Sequence, residues 1–451
     1  MPTNHARLFH GVIFFFIGLI FSQGVVALEA REYLGDWQGE LKYRDDVWPV
    51  HLVTQSRDSI INARLSLPEL WMADEPIATE LKGEQLIIEL PFGFGKLPLQ
   101  FCDHDLCGEI ELLAGKKMQL HLSRGDQAQH HEKAASFKSA DAIIQGTLLL
   151  PEGAGPHPVV VLVHGSAGNT RKQWSYRGPA EQFLRNGVAV LMYDKRGFGA
   201  SDGPWKHASY PDLKELGQDL ASAIEWVSKQ KEIDAKRIGV FGGSQATWTT
   251  ALASQRTQKI AFAILTGAPA VTPQEQEHQR VHTMFEHPSW SEQNRNSAYS
   301  HLDLYFSAVH DPKKESEVFA SSLKAENTDW GCDVPTAKTS DDFYWWRRNA
   351  DYNPKAAIMG WHFPVLLMYG TNDQIVPSAL NLPLWSEYLK GKAFDQQVFA
   401  GGDHRIELRA GPNADGQWKF PRMAIGIEDK IHQFLCANVL SSEQEPSRCK
   451  Q

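Results

Sequence analysis

Residues 158–163 read PVVVLV, a run of aliphatic side chains with no polar member. An alternating strand needs cover on one face; an unbroken apolar run needs it on both. That is the condition of an inner strand in a parallel sheet flanked by helices. VAVLMY at 188–193 reads the same way, and 238–241, 261–265 and 365–369 follow. Between these runs, Leu213, Leu216, Leu220, Ile224 and Val227 recur at helical spacing and form an apolar stripe that faces the sheet. Strands alternating with helices over residues 139–438 predict a doubly wound, mostly parallel α/β sheet.

Two regions depart from that rhythm. Residues 272–355 are long, polar and rich in helix formers, and they hold Trp290, Trp330, Trp345 and Trp346. They fall between two sheet strands, so a helical cap insertion above the sheet is expected. Its tryptophans either pack the cap onto the sheet or form an aromatic wall for a substrate. Residues 28–124 read instead as short strands with turns between them. Met118, Leu120 and Leu122 alternate with polar neighbours, and 37–43, 85–90 and 107–112 are similar runs. A small antiparallel β domain, barrel-like in its simplest form, is the expectation. Residues 125–138, polar and without period, read as a linker, with His130 and His131 solvated. Residues 439–451 form a C-terminal tail.

A chain of 451 residues with 42% apolar and 22% charged residues has the mass for a large core, and its net charge of −9 argues against a nucleic-acid partner. At the N-terminus Arg7 precedes the apolar run 12–21 and a small-residue end at Ala27. This is the pattern of a cleaved secretory signal over residues 1–27. The rival is an uncleaved anchor over 11–28, against which Ser22 and Gln23 count. The expected location is periplasmic or secreted, with no stable membrane insertion after cleavage. In an oxidising compartment Cys102 with Cys107 and Cys436 with Cys449 are candidate pairs, and the odd Cys332 is left over. Cys102-Asp-His-Asp-Leu-Cys107 has metal-ligand types but no second ligand pair at zinc spacing, so no metal is expected.

Gly242-Gly243-Ser244-Gln245-Ala246 follows the strand IGVF and precedes a helical stretch. A tight strand-to-helix turn exposes a serine hydroxyl only if the residues two before and two after it are small. The bland alternative is a helix N-cap serine. Serine is a weak nucleophile that needs a base, and the base needs an orienting acid. After the strand at 365–369 comes Gly370-Thr-Asn-Asp373-Gln-Ile-Val-Pro377, and further on Gly401-Gly402-Asp403-His404. Ser244 precedes Asp373 by 129 residues and Asp373 precedes His404 by 31, room for the intervening elements. All three then fall at the carboxyl ends of neighbouring strands, where open α/β sheets bind ligands. Asp403, beside His404, is the competing acid, better suited to ordering the loop.

These motifs, in this order, resemble the α/β-hydrolase superfamily, and within it the dienelactone-hydrolase and prolyl-oligopeptidase-like bacterial esterases. The resemblance covers residues 139–438. It departs from the usual elbow in having Ala246 where glycine is common. It implies Ser244 as nucleophile, Asp373 as acid and His404 as base. His164-Gly165-Ser166 after the 158–163 strand resembles the family's oxyanion loop, which implies that the Ser166 and Gln245 backbone N–H groups form the oxyanion hole. His164 is expected to brace that loop, and Asp194-Lys195-Arg196-Gly197-Phe198-Gly199-Ala200-Ser201, which resembles the family's turn, to be structural. The implied reaction is hydrolysis of a small-molecule carboxylic ester through an acyl-serine, with no cofactor. A serine peptidase or amidase on the same fold is the alternative, against which the absence of a preceding propeller repeat counts. A third reading is a non-catalytic lipid- or glycan-binding protein on a hydrolase scaffold.

Overall fold

The computed structural model describes residues 31–57, 60–112, 116–125, 130–166, 169–203, 211–337, 340–412, 417–440 and 449. The expected signal at 1–27 lies outside them. The chain divides into two units, one of residues 1–129 with 410–420 and one of residues 130–409 with 421–451.

In the first unit, alternating residues bury one face. Trp48, Val50, Leu52 and Thr54 are buried along their strand, with half-buried residues between. The strands are β1 (Gly35–Tyr43), β2 (Asp46–Arg57), β3 (Ile60–Leu67), β4 (Met72–Ile77), β5 (Thr79–Lys82), β6 (Gln85–Leu90), β7 (Gly95–Cys102), β8 (Asp105–Leu112) and β9 (Lys116–Arg124). They form one antiparallel sheet in the order β4-β3-β2-β1-β9-β8-β7-β6-β5. Its marginal strands β4 and β5 share no ladder among the described residues, but only Ala78 separates them in the chain and Thr79 Oγ1 of β5 donates to the Ile61 carbonyl of β3, so the margins of the nine-stranded sheet meet as the barrel-like expectation has it. Cys102 and Cys107 are disulfide-bonded across the β7–β8 turn.

Residues 410–420 fall within the 139–438 span expected of the α/β sheet domain, but they cluster with this β sheet. Residues 411–412 pair with 418–419, and Phe420 stacks on Trp48 at 4.9 Å with Trp418 edge-on to Tyr43 at 5.0 Å. The Phe420 N–H donates to Asp46 Oδ2 at 2.6 Å. Burial of such rings, worth about 1.5–3 kcal/mol for a phenylalanine, outweighs the cost of closing so short an excursion.

In the second unit the unbroken apolar runs are inner strands. Its sheet contains β10 (His131–Ser139), β11 (Ala142–Leu150), β12 (His157–Val163), β13 (Ala189–Tyr193), β14 (Ile233–Gly243), β15 (Ile260–Thr266), β16 (Val365–Gly370) and β17 (Phe394–Phe399), in the order β10-β11-β13-β12-β14-β15-β16-β17. The β10–β11 and β11–β13 ladders are antiparallel and the rest are parallel. Every residue of β12, β13 and β16 is buried, as two-sided cover requires. Helices α1 (Trp174–Arg185), α2 (Leu213–Val227) and α3 (Ala246–Ser254) lie between these strands in the chain. Asp212 and Glu215 close a capping box at the start of α2, whose Leu220, Ile224 and Val227 enter the sheet core.

The expected linker at 125–138 is not one: His131–Ser139 is strand β10, paired residue by residue with β11. Ala135, Phe137 and Ser139 are buried at period two, but two of them are small and the alternation is faint in the sequence. His130 is not solvated either, since its Nε2 lies 2.5 Å from Glu181 Oε2.

Between β15 and β16 run α4 (Pro273–Phe285), α5 (Glu292–His310), α6 (Glu315–Ala325), α7 (Ser340–Asn349) and α8 (Lys355–Met359). This insertion has its own core, including Phe285, Leu302, Tyr305, Phe306 and Phe343. Trp345 packs with Leu213, Leu216, Trp248 and Leu252, and Trp330 lies within the insertion core. Trp345 thus packs the insertion onto the helices that flank the sheet, while Trp330 packs the insertion itself. After β16 come α9 (Ser378–Tyr388) and α10 (Ile427–Asn438). Helix α10 starts only after residues 422–423 have paired with 407–408. Cys436 and Cys449 are disulfide-bonded, and Cys332 is free and exposed.

Candidate active site

The turn after β14 shows why small residues are needed there. A methyl group on Gly242 would fall 2.6 Å from the Ala246 Cβ and 2.6 Å from the Val163 carbonyl oxygen; on Gly243 it would fall 2.6 Å from Thr266 Oγ1. Ser244 takes φ of 59°, a left-handed conformation that costs a non-glycine residue about 1–2 kcal/mol. Its N–H donates to the Thr266 carbonyl at 3.0 Å, which ties the turn to the end of β15. Ser244 is half-buried, and Gln245 directly opens α3.

Asp373 follows β16 in a rigid loop. Its Oδ1 accepts the Ile375 and Val376 N–H groups at 2.9 and 2.8 Å, and its Oδ2 accepts from His404 Nδ1 at 2.9 Å. The carboxylate is fully buried and the His404 ring about one-fifth exposed. Because Nδ1 is engaged by the acid, Nε2 is the ring nitrogen left for proton transfer. The acid and histidine loops are tied to each other: Asn372 N–H donates to the Gly402 carbonyl at 2.8 Å. A side chain at Gly370 would collide with that same carbonyl at 2.0 Å. Asp403 is not the acid partner; its Oδ1 accepts the Arg405 and Glu407 N–H groups at 2.9 and 3.1 Å and so orders the loop.

Ser244 reaches this pair through β15. Gly267, next after the Thr266 that binds Ser244, takes φ of +47°, and a methyl there would fall 2.8 Å from His404 Cε1 and 3.1 Å from Asp373 Oδ2. Gly267 was missed in the sequence; its one signal is a glycine directly after a buried strand. No hydrogen bond between Ser244 and His404 is present among the described residues.

The loop after β12 lies beside the elbow, with a methyl on Gly165 falling 3.4 Å from the Gly243 carbonyl. His164 is buried and its Nε2 donates to the Tyr193 carbonyl at 2.6 Å. Burial, reinforced by the nearby Lys195, pulls its pKa down to about 3, so it stays neutral and braces the loop. Gly165 N–H donates to Tyr176 Oη at 3.2 Å, and Asn169 Nδ2 donates to the Ser166 carbonyl at 2.9 Å.

The Asp194–Gly199 turn is anchored as expected, and it carries a residue the motif reading passed over. Arg196 is buried in a bidentate pair with Asp219 at 2.7 and 3.1 Å. Asp194 accepts the Arg171 and Ala200 N–H groups at 2.8 and 2.9 Å. Between them Lys195 is 1% exposed, and burial lowers its pKa to about 7. Its Nζ donates to the Gly165 carbonyl and to Gln245 Oε1, each at 2.9 Å. Nothing in the sequence marked it except a lysine placed next to a strand too apolar to leave it solvent.

Among protein families, the model of the X-Pro dipeptidyl-peptidase (S15 family) matches residues 143–405. An uncharacterised 31.7 kDa protein of the traX-finO intergenic region of Escherichia coli is 26% identical over 250 residues, 54% of this chain and 82% of its own length. Esterase EstD of Thermotoga maritima is 26% identical over 256 residues, 50% of this chain and 60% of its own. A solved esterase of Pyrococcus furiosus aligns at TM-score 0.41 and 16% identity over 61% of this chain and 84% of its own.

Proposed function

The chain belongs to the X-Pro dipeptidyl-peptidase (S15) family and is a hydrolase of that α/β family, and from that premise we propose that it is a serine hydrolase cleaving carboxylic esters through an acyl-serine at Ser244. The observation that carries the reading is the 2.9 Å bond from His404 Nδ1 to a buried Asp373, beside a turn that holds its serine in a left-handed conformation. His404 Nε2 takes the proton of the Ser244 hydroxyl as its oxygen bonds to the substrate carbonyl carbon. The Ser166 and Gln245 N–H groups receive the developing oxyanion; Gln245 stands in the first turn of α3, where helical N–H groups have no carbonyl partner within the helix. The C–O bond to the leaving group breaks and His404 returns the proton to the departing alcohol. Water, deprotonated by His404, then releases the acid and restores Ser244. Asp373 orients the imidazole and stabilises its protonated form.

The similarity to an esterase supports the ester. The family description supports a second reading, cleavage of an amide bond after an X-Pro dipeptide. The deciding experiment sets a p-nitrophenyl ester series beside X-Pro p-nitroanilides, with Ser244→Ala as control. Ester turnover that the substitution abolishes sustains the first reading, and anilide turnover that it abolishes sustains the second. Turnover that survives Ser244→Ala removes both.

The insertion of α4–α8 serves in this reading as a cap over the doubly wound sheet. Its support is that Gln276 Nε2 donates at 2.8 Å to the carbonyl of Ile375, whose own N–H holds Asp373. Export after cleavage at Ala27, leaving a β domain from 28 and a hydrolase domain from 130, draws support from the two disulfides, which persist in oxidising compartments. Mass determination of the mature N-terminus tests it: a protein that keeps Met1 overturns it.

A further inference from the structure

A buried lysine amine is costly unless its donors are used, and such a group retained beside a reactive turn invites a functional account. Lys195 is held at its backbone by the bond from its N–H to the Asn169 carbonyl at 3.1 Å, and on either side by the anchored Asp194 and Arg196. Its side chain therefore points from a fixed base. Among the acceptors that the Nζ reaches are the Gly165 carbonyl and Gln245 Oε1, both 2.9 Å away.

One of these acceptors shares a peptide group with the Ser166 N–H and the other is the side chain of Gln245, and these are the two residues implied as oxyanion donors. The Gly165 carbonyl and the Ser166 N–H are parts of one peptide group. In a trans peptide these dipoles point in opposite directions, so a bond that fixes the carbonyl fixes the direction of the N–H. A hydrogen bond at the carbonyl oxygen also polarises the peptide and makes its N–H a stronger donor. On the other wall, the Gln245 side chain is tethered to the same amine, while its backbone N–H stays at the helix start directly after Ser244. One nitrogen thus ties together two segments that lie 80 positions apart in the chain. Asn169 and Tyr176 bind the loop as well, but neither has a bond to the elbow among those described.

We infer that Lys195 is a positioning residue for the oxyanion hole, holding the Ser166 peptide and Gln245 in register with Ser244; this rests on the serine-hydrolase reading above. The role needs only N–H donors, which the ammonium and the neutral amine both have. It predicts an effect on the transition state and not on substrate binding, because an oxyanion exists only once the carbonyl has been attacked.

The test compares wild type with Lys195→Met and Gln245→Leu. Four quantities are read: the rate of labelling by a fluorophosphonate, kcat and KM on p-nitrophenyl acetate, and the affinity for an aryl trifluoromethyl ketone. The ketone binds as a tetrahedral adduct of Ser244 whose oxygen occupies the oxyanion hole. We expect Lys195→Met to lose roughly 10- to 100-fold in kcat and labelling rate, below or at the loss for removing an oxyanion donor itself, with KM little changed. Ketone affinity should fall by the same factor as kcat/KM. Gln245→Leu, which keeps the backbone N–H and cuts one tether, should lose less, and the double variant should be no worse than Lys195→Met alone. Should Lys195→Met fail to fold, Gln245→Leu and its ketone affinity carry the same test. Labelling and ketone binding at wild-type levels in the folded variants overturn the inference and leave the serine-hydrolase reading intact. A wild type that is neither labelled nor active on esters and anilides overturns both.

Discussion

The two sheets of this protein are built by different rules from the same kinds of residue. In the first unit, buried and half-buried positions alternate along β2, and each strand turns back to its antiparallel neighbour. In the second, β12, β13 and β16 are buried at every position and run parallel, so each needs a long return outside the sheet. The difference decides where chemistry can be placed. Parallel strands deliver successive loops to one edge of the sheet, and β12, β14, β16 and β17 are followed there by Ser166, Ser244, Asp373 and His404. A meander sends its turns alternately to both edges and gathers no such set. Its turns are used for structure, as at the Cys102–Cys107 bridge.

This division can be broken or sharpened by substitution. The largest effect is expected in the parallel sheet at Asp373→Asn. The fold keeps its backbone contacts to the Ile375 and Val376 N–H groups, but the imidazole loses its correct tautomer, and kcat should drop by about 10⁴ with KM little changed. Steady-state kinetics on whichever substrate wild type accepts would show it, and a loss under tenfold would remove Asp373 from the acid role. Next comes Phe420→Ala. The ring is 1% exposed and stacked on Trp48, so about 3–5 kcal/mol of stability should be lost. Calorimetry should find the loss in the transition of the β sheet unit, while fluorophosphonate labelling of Ser244 persists at 25 °C. Labelling that disappears in step with that transition would end the view of the β unit as structurally separate from the chemistry.

The smallest effect concerns His130 and Glu181 at the margin of the second sheet. The Glu181 carboxylate raises the His130 pKa above its ordinary 6.5. A raised folded pKa means the pair stabilises fully below that ordinary value and loses its contribution as pH rises through the folded one. His130→Gln should therefore lower the melting temperature at about pH 5.5 and leave it almost unchanged at about pH 9, an effect under about 1 kcal/mol. An equal loss at both pH values would make the contact one of packing and not of charge.

The chain itself declared its parallel sheet because that sheet's demand is local. PVVVLV cannot be solvated on either face, and the stripe of Leu213, Leu216, Leu220, Ile224 and Val227 supplies the cover. It also declared the candidate site by order and spacing, since a glycine-flanked serine and two loop motifs are short-range features. Strand β10 escaped because Ala135 and Ser139 are small, and small side chains give little contrast between faces. The excursion of 410–420 escaped because the affinity of Phe420 for Trp48 joins positions 372 residues apart, and no local pattern encodes a contact at that range. Lys195 is the sharpest case. In the sequence it is one cation in a turn; only the packing of β13 against β12, which buries its amine between the Gly165 carbonyl and Gln245, makes it part of the site. Local pattern fixes what each segment must hide from water, and the tertiary structure alone decides which hidden polar groups meet.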